Sequence, residues 1–361
     1  MLLQIVDARN PYFYYSADLE KYIKEVGKGK QFLLLVNKAD YLTEELRAHW
    51  SAYFKEQSIN HVFFSALQEQ DKLDNWRDDS DEEDLPREEG GTVAKERREQ
   101  EERQKAAVQH LNSPYLFDRG ELLALLGYKA ALDGKTPDDR LMVGMVGYPN
   151  VGKSSVINVL CGRKRVGVAS MPGKTKHFQT LNLEGAGCWN LCLCDCPGLV
   201  FPSFANSKAE MMCCGVLPID TMKDYISPVS LIIRRVPRDV LEEHYKSKLP
   251  AADSKNYTAS MLLQVIGAKK GLVTGRGIPN EAMAARAVLK DYVNGRLLFC
   301  HVRPDFDRAA HGDIKQSGFA LPTSEVGDAE EVKEEESHEE SDGEDDDISD
   351  EEREEVHELT S

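Results

Sequence analysis

A glycine-rich loop is the sequence feature that most constrains the fold. Residues 147–154 read GYPNVGKS and fit the pattern G-x-x-x-x-G-K-[S/T], between an apolar stretch at 141–146 and a helical pattern at 154–160. In this strand–turn–helix context the backbone N–H groups of the loop surround phosphate groups, and the helix N-terminus adds positive potential. The loop therefore predicts a nucleoside triphosphate site on a parallel α/β sheet. Lys153 is expected on the β- and γ-phosphates, and the Ser154 hydroxyl on Mg²⁺.

A second motif specifies the base. NKAD at 37–40 directly follows an apolar stretch at 32–36. A carboxylate at Asp40 accepts two hydrogen bonds from guanine N1 and N2, and adenine offers no such pair of donors. The motif therefore favours guanine nucleotides over ATP. Asn37 is expected to brace the nucleotide-binding loops, and the Lys38 stem to lie along the base.

Two further segments complete the predicted site. Ser65 and Ala66 follow the next strand pattern, where a backbone N–H can reach guanine O6. DCPG at 195–198 closes a buried strand pattern. Asp195 is expected to hold Mg²⁺ through water, and the Gly198 N–H to sense the γ-phosphate.

The second hydroxyl on Mg²⁺ must come from a mobile loop, and Thr175 is the first choice for it, with Thr180 as the alternative. The predicted nucleotide-binding residues are Asn37, Lys38, Asp40, Ser65, Ala66, Gly147, Asn150, Val151, Gly152, Lys153, Ser154, Ser155, Asp195, Pro197 and Gly198. The predicted catalytic residues are Asn150, Lys153, Thr175 and Gly198, and the predicted Mg²⁺ ligands are Ser154, Thr175 and Asp195.

The order of the motifs is unusual. In an ordinary GTPase the phosphate loop comes first, whereas here the guanine motif at 37–40 precedes it by about 110 residues. A parallel sheet tolerates such a circular permutation when the original termini lie close together. The chain also runs from the γ-phosphate sensor almost directly into a helical region, so movement of that loop on hydrolysis is expected to pull on the helices.

Charge and periodicity divide the chain into regions. Strand and helix patterns alternate over 1–70 and 106–205, which predicts one permuted GTPase domain. The intervening residues 71–105 hold 14 acidic and eight basic residues and are expected to form a charged insertion that is disordered or partly helical. Residues 206–320 are expected to form a small, weakly basic helical domain, and residues 321–361 an acidic disordered tail.

The acidic tail dominates the total charge. The chain carries a formal net charge of −17, to which residues 324–361 contribute −18 and residues 71–105 contribute −6. The remaining residues therefore carry +7 and form a mildly basic folded body. An RNA partner is therefore not excluded. Further helices are expected at 116–126, 209–215, 240–244, 259–266 and 281–292.

The sequence disfavours a membrane protein, a secreted protein and a zinc protein. No apolar run reaches the roughly 18–20 residues of a membrane helix, and the N-terminal residues lack the basic start and cleavage site of a signal peptide. Cys192, Cys194 and Cys196 follow a C-x-C-x-C spacing, which is typical of core thiols in a reducing compartment rather than of a zinc site. The sequence thus predicts a soluble intracellular protein with no membrane insertion.

Several motifs resemble one family. DARNP at 7–11, GYPNVGKSSVIN at 147–158 and DCPGLVFP at 195–202 resemble the circularly permuted GTPases of ribosome assembly. Within them, three segments are most similar to the cytoplasmic large-subunit GTPases of eukaryotes: PGKTKHFQT at 172–180, GVLPIDTMKDYISP at 215–228 and KDYVNGRLLF at 290–299. That family carries a helical segment upstream of the first strand, so a fragment or short isoform is expected here.

The resemblance implies a GTPase acting in late cytoplasmic maturation and export of the large (60S) ribosomal subunit, where it helps to release the nuclear-export adaptor. The implied partners are the large subunit, through its rRNA and proteins, and that adaptor, with no DNA. A monomer in the cytoplasm is expected, with endoplasmic reticulum association and nuclear shuttling as further possibilities. The alternatives are a nuclear or mitochondrial assembly GTPase, or a nucleotide-regulated scaffold with negligible hydrolysis.

Two residues, Leu199 and Asn150, bear on how fast GTP is hydrolysed. Leu199 stands where Ras-like proteins have the glutamine that orients water, so intrinsic hydrolysis is expected to be slow. In similar GTPases an asparagine at the position of Asn150 holds K⁺ against the phosphates, and the alternative is that Asn150 only shapes the turn.

A basic segment between two predicted helices contains Lys269, Lys270 and Arg276. These residues either contact rRNA phosphates or form a solvated loop between the helices.

Overall fold

The computed structural model describes eight stretches of the chain, which belong to one compact unit. They are residues 1–27, 29–79, 92–136, 139–162, 179–183, 190–198, 207–250 and 257–306. Predictions that fall on Thr175, Leu199 or the acidic tail lie outside them.

A seven-stranded sheet with the order β4-β3-β2-β1-β5-β7-β6 forms the centre of the molecule. The strands are β1 Leu2–Asp7, β2 Phe32–Asn37, β3 His61–Phe64, β4 Leu116–Phe117, β5 Leu141–Val146, β6 Gln179–Leu183 and β7 Leu191–Asp195. All neighbouring pairs run parallel except β6 and β7, which are antiparallel. The prediction of an α/β fold with a mainly parallel sheet is therefore confirmed.

Helices connect and follow the strands. Those of the sheet region are α1 Pro11–Tyr14, α2 Ala17–Val26, α3 Glu44–Glu56, α4 Ala66–Asp79, α5 Thr92–His110, α6 Arg119–Leu132 and α7 Lys153–Leu160. Those after the sheet are α8 Lys208–Cys213, α9 Ile226–Arg235, α10 Arg238–Tyr245, α11 Ala259–Lys269 and α12 Glu281–Val293. No helix in the described ranges is long and apolar enough to cross a bilayer.

Local sequence signals set several of these boundaries. Every residue of β2 is buried, as expected for an apolar strand in the middle of a parallel sheet covered on both faces. The Ser16 side chain accepts from the Leu19 N–H at the start of α2, and the Thr43 side chain accepts from the Leu46 N–H at the start of α3.

Two local expectations differ from the structure. Leu116–Phe117 pairs with β3 as a short strand, and the helix starts later because Asp118 and Glu121 form a reciprocal capping box. Helix α9 was not expected, since Pro228 interrupts its pattern. That proline lies in the first helical turn, where no intrahelical N–H bond is lost, so it is compatible with the helix.

The charged stretch 71–105, expected to be disordered or partly helical, is helical in α4 and α5, the parts of it that the structure describes. Helix α5 packs against α6, and Ala107 is fully buried there. A largely charged helix is stabilised when one edge packs on a neighbour and its charged side chains stay solvated.

Two apolar clusters form the interior. The first surrounds the sheet and includes Trp50, Phe54 and Phe63, all essentially inaccessible to solvent. The second lies among α8–α12 and includes Ile232 and Leu263. The helical region thus has a core of its own within the same compact unit.

Candidate functional site

The carboxyl ends of neighbouring parallel strands bring the sequence motifs together. Asp7 at the end of β1 pairs with Asn37 at the end of β2, and Met145 near the end of β5 pairs with Asp195 at the end of β7. Ligands of open α/β sheets bind at this edge of the sheet. Motifs that are far apart in the chain are therefore neighbours in space.

The phosphate loop needs glycine at two positions. A Cβ on Gly147 would lie 2.3 Å from the Ile5 carbonyl oxygen. Gly152 has φ +97°, and a Cβ there would lie 2.3 Å from Asn37 Nδ2. Asn150 also adopts a left-handed conformation, with φ +62°, which asparagine tolerates better than most residues.

Lys153 is buried inside this loop. Its Nζ donates to the Gly147 carbonyl at 2.9 Å and to the Tyr148 carbonyl at 2.7 Å. Burial lowers the pKa of Lys153 to about 8, although the nearby Asp195 opposes the shift. The loop's own carbonyls hold the ammonium where phosphate oxygens are expected to replace them.

Asn37 joins three elements of the site. Its Nδ2 donates to the Val151 carbonyl at 2.9 Å, and its Oδ1 accepts from the Ala66 N–H at 3.1 Å. The guanine motif is thereby linked to the phosphate loop and to the start of α4. The Ala66 N–H, predicted to reach guanine O6, is engaged by Asn37 in this structure.

A cavity of about 620 Å³ opens beside Asp40. Its lining residues are Asn37, Lys38, Asp40, Tyr41, Ala66, Leu67, Gln70, Asp74, Gly152, Ser155 and Asn158. The Ser65 hydroxyl donates to Asp40 Oδ1 at 2.6 Å, which fixes one carboxylate oxygen. The cavity therefore joins the guanine motif to the first turn of α7, as a nucleotide base next to a phosphate loop requires.

Lys38 takes part in a buried charge network. Its Nζ donates to Asp7 Oδ2 and to the Asn150 carbonyl, both at 2.8 Å. Arg9 pairs with the same Asp7, with Nη2 to Oδ2 at 2.7 Å. Burial disfavours the charged form of Asp7, but Arg9 and Lys38 outweigh burial and hold the pKa of Asp7 well below its usual range.

Asp195 and Ser154 fit a divalent cation. Asp195 Oδ2 lies 3.4 Å from the Ser154 hydroxyl, whereas its buried Oδ1 has no hydrogen-bond partner. Burial raises the pKa of Asp195, although Lys153 and Ser154 oppose the shift. An orphaned carboxylate oxygen beside a hydroxyl suits Mg²⁺, which takes few protein ligands together with water and phosphate oxygens. Ser154 and Asp195 would hold the ion.

The other residues predicted for the metal and the γ-phosphate are only partly described. Thr175 lies outside the described residues, and Thr180 lies on β6 opposite Cys194. Gly198 packs against the phosphate loop, since a Cβ there would lie 3.0 Å from the Pro149 nitrogen.

Sequence reasoning missed contacts from the helical region. Asn150 Nδ2 donates to the Gly215 carbonyl at 2.7 Å, and Tyr41 lines the cavity while its hydroxyl donates to the Asn294 carbonyl at 3.4 Å. The sequence assigns the DARNP segment no role beyond its resemblance to a family. An aspartate at the end of the first strand, followed two residues later by an arginine, is the signal that could indicate a charge pair beside the guanine motif.

Part of the chain matches a known family of GTPases. Residues 142–263, which begin at β5 and include the phosphate loop, match the family described as "50S ribosome-binding GTPase". The guanine motif precedes this match in the chain, yet its strand, β2, lies in the same sheet and is separated from β5 only by β1. The nucleotide-binding motifs of this sheet therefore occur in circularly permuted order along the chain.

The chain is similar to named proteins from several organisms. The "Large subunit GTPase 1 homolog" of Mus musculus is 39% identical, with 86% of this chain and 57% of the relative covered. The Homo sapiens protein of the same name is 37% identical, with 85% and 58% covered. "GTPase LSG1-2" of Arabidopsis thaliana is 39% identical, with 88% and 54% covered. The chain spans little more than half the length of these relatives.

Solved structures of similar proteins include GNP-bound YlqF from T. maritima, which is 16% identical with a TM-score of 0.46. That likeness covers 84% of this chain and 93% of YlqF. A GDP-bound YlqF structure is 17% identical with a TM-score of 0.45, and 85% and 95% are covered.

Proposed function

We propose that this protein binds GTP and hydrolyses it to GDP. The observation that carries the proposal is the position of Asn37, whose amide bonds to both the phosphate loop at Val151 and the start of α4 at Ala66. Asp40, the predicted guanine acceptor, and Gly152 of the phosphate loop line the same cavity as Asn37. A cavity lined by both a guanine acceptor and a phosphate loop suits a guanine nucleotide.

Each side chain has a distinct task in this mechanism. Asp40 accepts from guanine N1 and N2, and the Ser65 hydroxyl keeps the carboxylate oriented. Lys153 exchanges two loop carbonyls for β- and γ-phosphate oxygens. Mg²⁺ held by Ser154 and Asp195 neutralises phosphate charge when it is bound. Leu199 supplies no hydrogen bond to the attacking water, so intrinsic turnover is slow and a partner accelerates it.

Potassium is proposed as a second cation, with Asn150 as its ligand. The bond from Asn150 Nδ2 to Gly215 orients the amide, and the left-handed backbone keeps the residue at the turn of the loop. Replacing Na⁺ by K⁺ should then raise GTP turnover severalfold. Equal rates in the two salts would reject this role and leave Asn150 as a residue that shapes the loop.

The partner in this proposal is the large ribosomal subunit. Support comes from the names of the relatives and of the matched family. The protein acts as a cytoplasmic monomer in late 60S maturation and export and helps to release the nuclear-export adaptor. Lys269 ends α11, and Lys270 and Arg276 follow it before α12. All three are exposed and suit contacts with rRNA phosphates, and Lys270 also pairs with Asp291 at 3.4 Å.

GTP turnover with and without large ribosomal subunits tests the enzymatic part. We expect slow turnover by the protein alone, strong stimulation by subunits, and loss of both in Lys153→Ala. Unstimulated, negligible turnover with intact GDP binding would instead identify a nucleotide-regulated scaffold.

Sedimentation with subunits tests the partner. Binding should be strongest with a GTP analogue, weaker with GDP and unchanged by an ATP analogue. Charge reversal at Lys269, Lys270 and Arg276 should lower the affinity for subunits and the steepness of its salt dependence. No sedimentation in any nucleotide state would overturn the ribosomal role for this chain.

A further inference from the structure

The last turn of α12 lies against the nucleotide site. Arg9 Nη1 donates to the Tyr292 carbonyl at 3.1 Å and to the Val293 carbonyl at 3.0 Å. These carbonyls end a helix of 13 residues, where the helix dipole favours a positive charge, and the Tyr292 carbonyl also accepts from the Gly295 N–H at 3.1 Å. Arg9 thus caps α12 although 283 residues separate it from Tyr292 in sequence.

The opposite side of the same guanidinium faces the nucleotide loops. Nε and Nη2 of Arg9 donate to the two oxygens of Asp7 at 3.0 and 2.7 Å. Asp7 accepts from Lys38, and Lys38 donates onward to the carbonyl of Asn150 in the phosphate loop. A continuous series of short, buried, charge-assisted bonds therefore runs from the end of α12 to the phosphate loop.

Two other contacts reach the same helix end independently. The Asn150 side chain donates to Gly215, and a Cβ at Gly215 would lie 2.9 Å from Val293 Cγ1. On the base side, the Tyr41 hydroxyl donates to Asn294, and the Arg9 guanidinium lies 5.5 Å from the centre of the Tyr41 ring. Phosphate loop, guanine motif and DARNP segment thus all meet the last turn of α12.

We propose that Arg9 is a positioning residue that couples nucleotide binding to the order of the last turn of α12. The inference rests on the proposed nucleotide binding. A nucleotide that fixes Lys38 and the phosphate loop also fixes Asp7 and Arg9, and through them the carboxyl end of α12. Linkage requires the reverse as well: a partner that moves this helix end changes nucleotide affinity by the same factor.

Two substitutions separate the roles of Arg9. Arg9→Gln removes the charge and the fork of donors. Arg9→Lys keeps a cation beside Asp7, but a single ammonium cannot reproduce the bonds to both Asp7 oxygens and both helix carbonyls. Arg238→Gln is the matched control, because Arg238 also pairs with a carboxylate, Glu242, and donates to a backbone carbonyl, Leu249, within the helical region.

The experiment measures affinity for a fluorescent GDP together with hydrogen exchange of the amides of residues 294–297, with and without GDP. These amides are hydrogen-bonded to the last turn of α12 and report its order. In the wild type we expect GDP to slow their exchange. In both Arg9 variants we expect GDP affinity to fall about 5- to 150-fold, the usual range of coupling between sites, and the GDP-dependent slowing to vanish.

The control and the failures are distinguishable. Arg238→Gln should keep wild-type GDP affinity and wild-type slowing, even if it destabilises the helical region. If Arg9→Lys behaves as the wild type in both measurements, or if Arg238→Gln shows the same losses, the coupling role is wrong while nucleotide binding stands. If the wild type itself fails to bind GDP, the proposed function fails and the inference with it.

Discussion

The Ser65 hydroxyl donates to Asp40 Oδ1 at 2.6 Å, so the carboxylate that faces the nucleotide cavity is oriented before any base arrives. A carboxylate held in this way can accept hydrogen bonds from two donors of guanine, N1 and N2. Asp40→Asn replaces one acceptor by a donor, which should cost about 3 kcal/mol of binding, a factor of about 100 in GDP affinity. Xanthosine diphosphate, whose C2 carbonyl accepts from an amide, should gain affinity. Competition against fluorescent GDP measures both changes.

The same cavity offers a control for that substitution. Asp74 lies on its wall at α4, where it accepts from Gln70 at 2.8 Å. Asp74→Asn removes an equal charge from the cavity without altering the guanine acceptor. It should therefore leave the preference for guanine over xanthine unchanged. A reversed preference in Asp74→Asn would show that Asp40 does not read the base.

A glycine-to-alanine pair separates backbone strain from steric exclusion in the phosphate loop. Gly152 and Gly271 both have left-handed φ values, +97° and +65°. A Cβ on Gly152 meets Asn37 Nδ2 at 2.3 Å, whereas a Cβ on Gly271 meets no atom within 4 Å. Both alanine variants should lose about 1–2 kcal/mol of stability through strain.

GDP binding should distinguish the two variants. Gly152→Ala displaces the Asn37 amide from the Val151 carbonyl and should lower GDP affinity by more than about tenfold, the equivalent of one lost hydrogen bond of about 1.4 kcal/mol. Gly271→Ala should bind as the wild type. Chemical denaturation and GDP titration of both proteins give the comparison, and equal GDP affinities would contradict the bracing role of Asn37.

Nucleotide binding should depend on pH through Lys153. Burial lowers the pKa of this ammonium to about 8 in the nucleotide-free protein, and bound phosphates raise it. Binding above pH 8 must therefore take up a proton. GDP affinity should be flat below pH 7 and fall by up to about tenfold per pH unit above pH 8.

Calorimetry checks the proton directly. At pH 8.5, titrations of GDP in two buffers of different ionisation enthalpy should reveal uptake of most of one proton. The uptake should be absent at pH 6.5 and in Lys153→Met. An affinity independent of pH up to 9.5 in the wild type would contradict a titrating Lys153.

Stability should fall in mild acid because of His61. The ring is fully buried; its Nδ1 donates to the Ile59 carbonyl at 3.0 Å, and burial lowers its pKa to about 4. The unfolded chain takes up the proton near pH 6.5. The stabilisation is thus complete above pH 6.5 and is lost as the pH falls towards 4, with a total of about 3 kcal/mol. Urea unfolding of the wild type and His61→Gln should show a smaller slope with pH in the variant.

The sheet was predictable because its strands carry strong local signals. β2 and β7 are continuous apolar runs, and polar motif residues end them at Asn37 and Asp195. Since the ends of parallel strands share one edge, the motif order alone implied a permuted site. The apolar stretches at 32–36 and 141–146 correspond to β2 and β5, and each stands directly before a motif in the sequence.

The contacts with the helical region depend on long-range packing, which one sequence does not encode locally. Nothing near Arg9 indicates that it caps a helix almost 300 residues later, and Gly215 resembles any glycine that ends a helix. The charged residues of α5 do not indicate a packed helix by themselves, because the contact that stabilises it is with α6. Such relationships follow from the fold rather than from the pattern of nearby residues.

The position of β1 between β2 and β5 also has a consequence for biosynthesis. β1 pairs with β2 from Leu2 to Asp7 on one edge, and its other edge pairs with Gly144–Val146 of β5, which are translated much later. While a ribosome translates the intervening residues, the nascent guanine-recognition half presents an unpaired, apolar strand edge. Such edges recruit chaperones or other nascent chains. When motifs are permuted in this way, the edge of β1 that pairs with β5 therefore stays unpaired during much of translation.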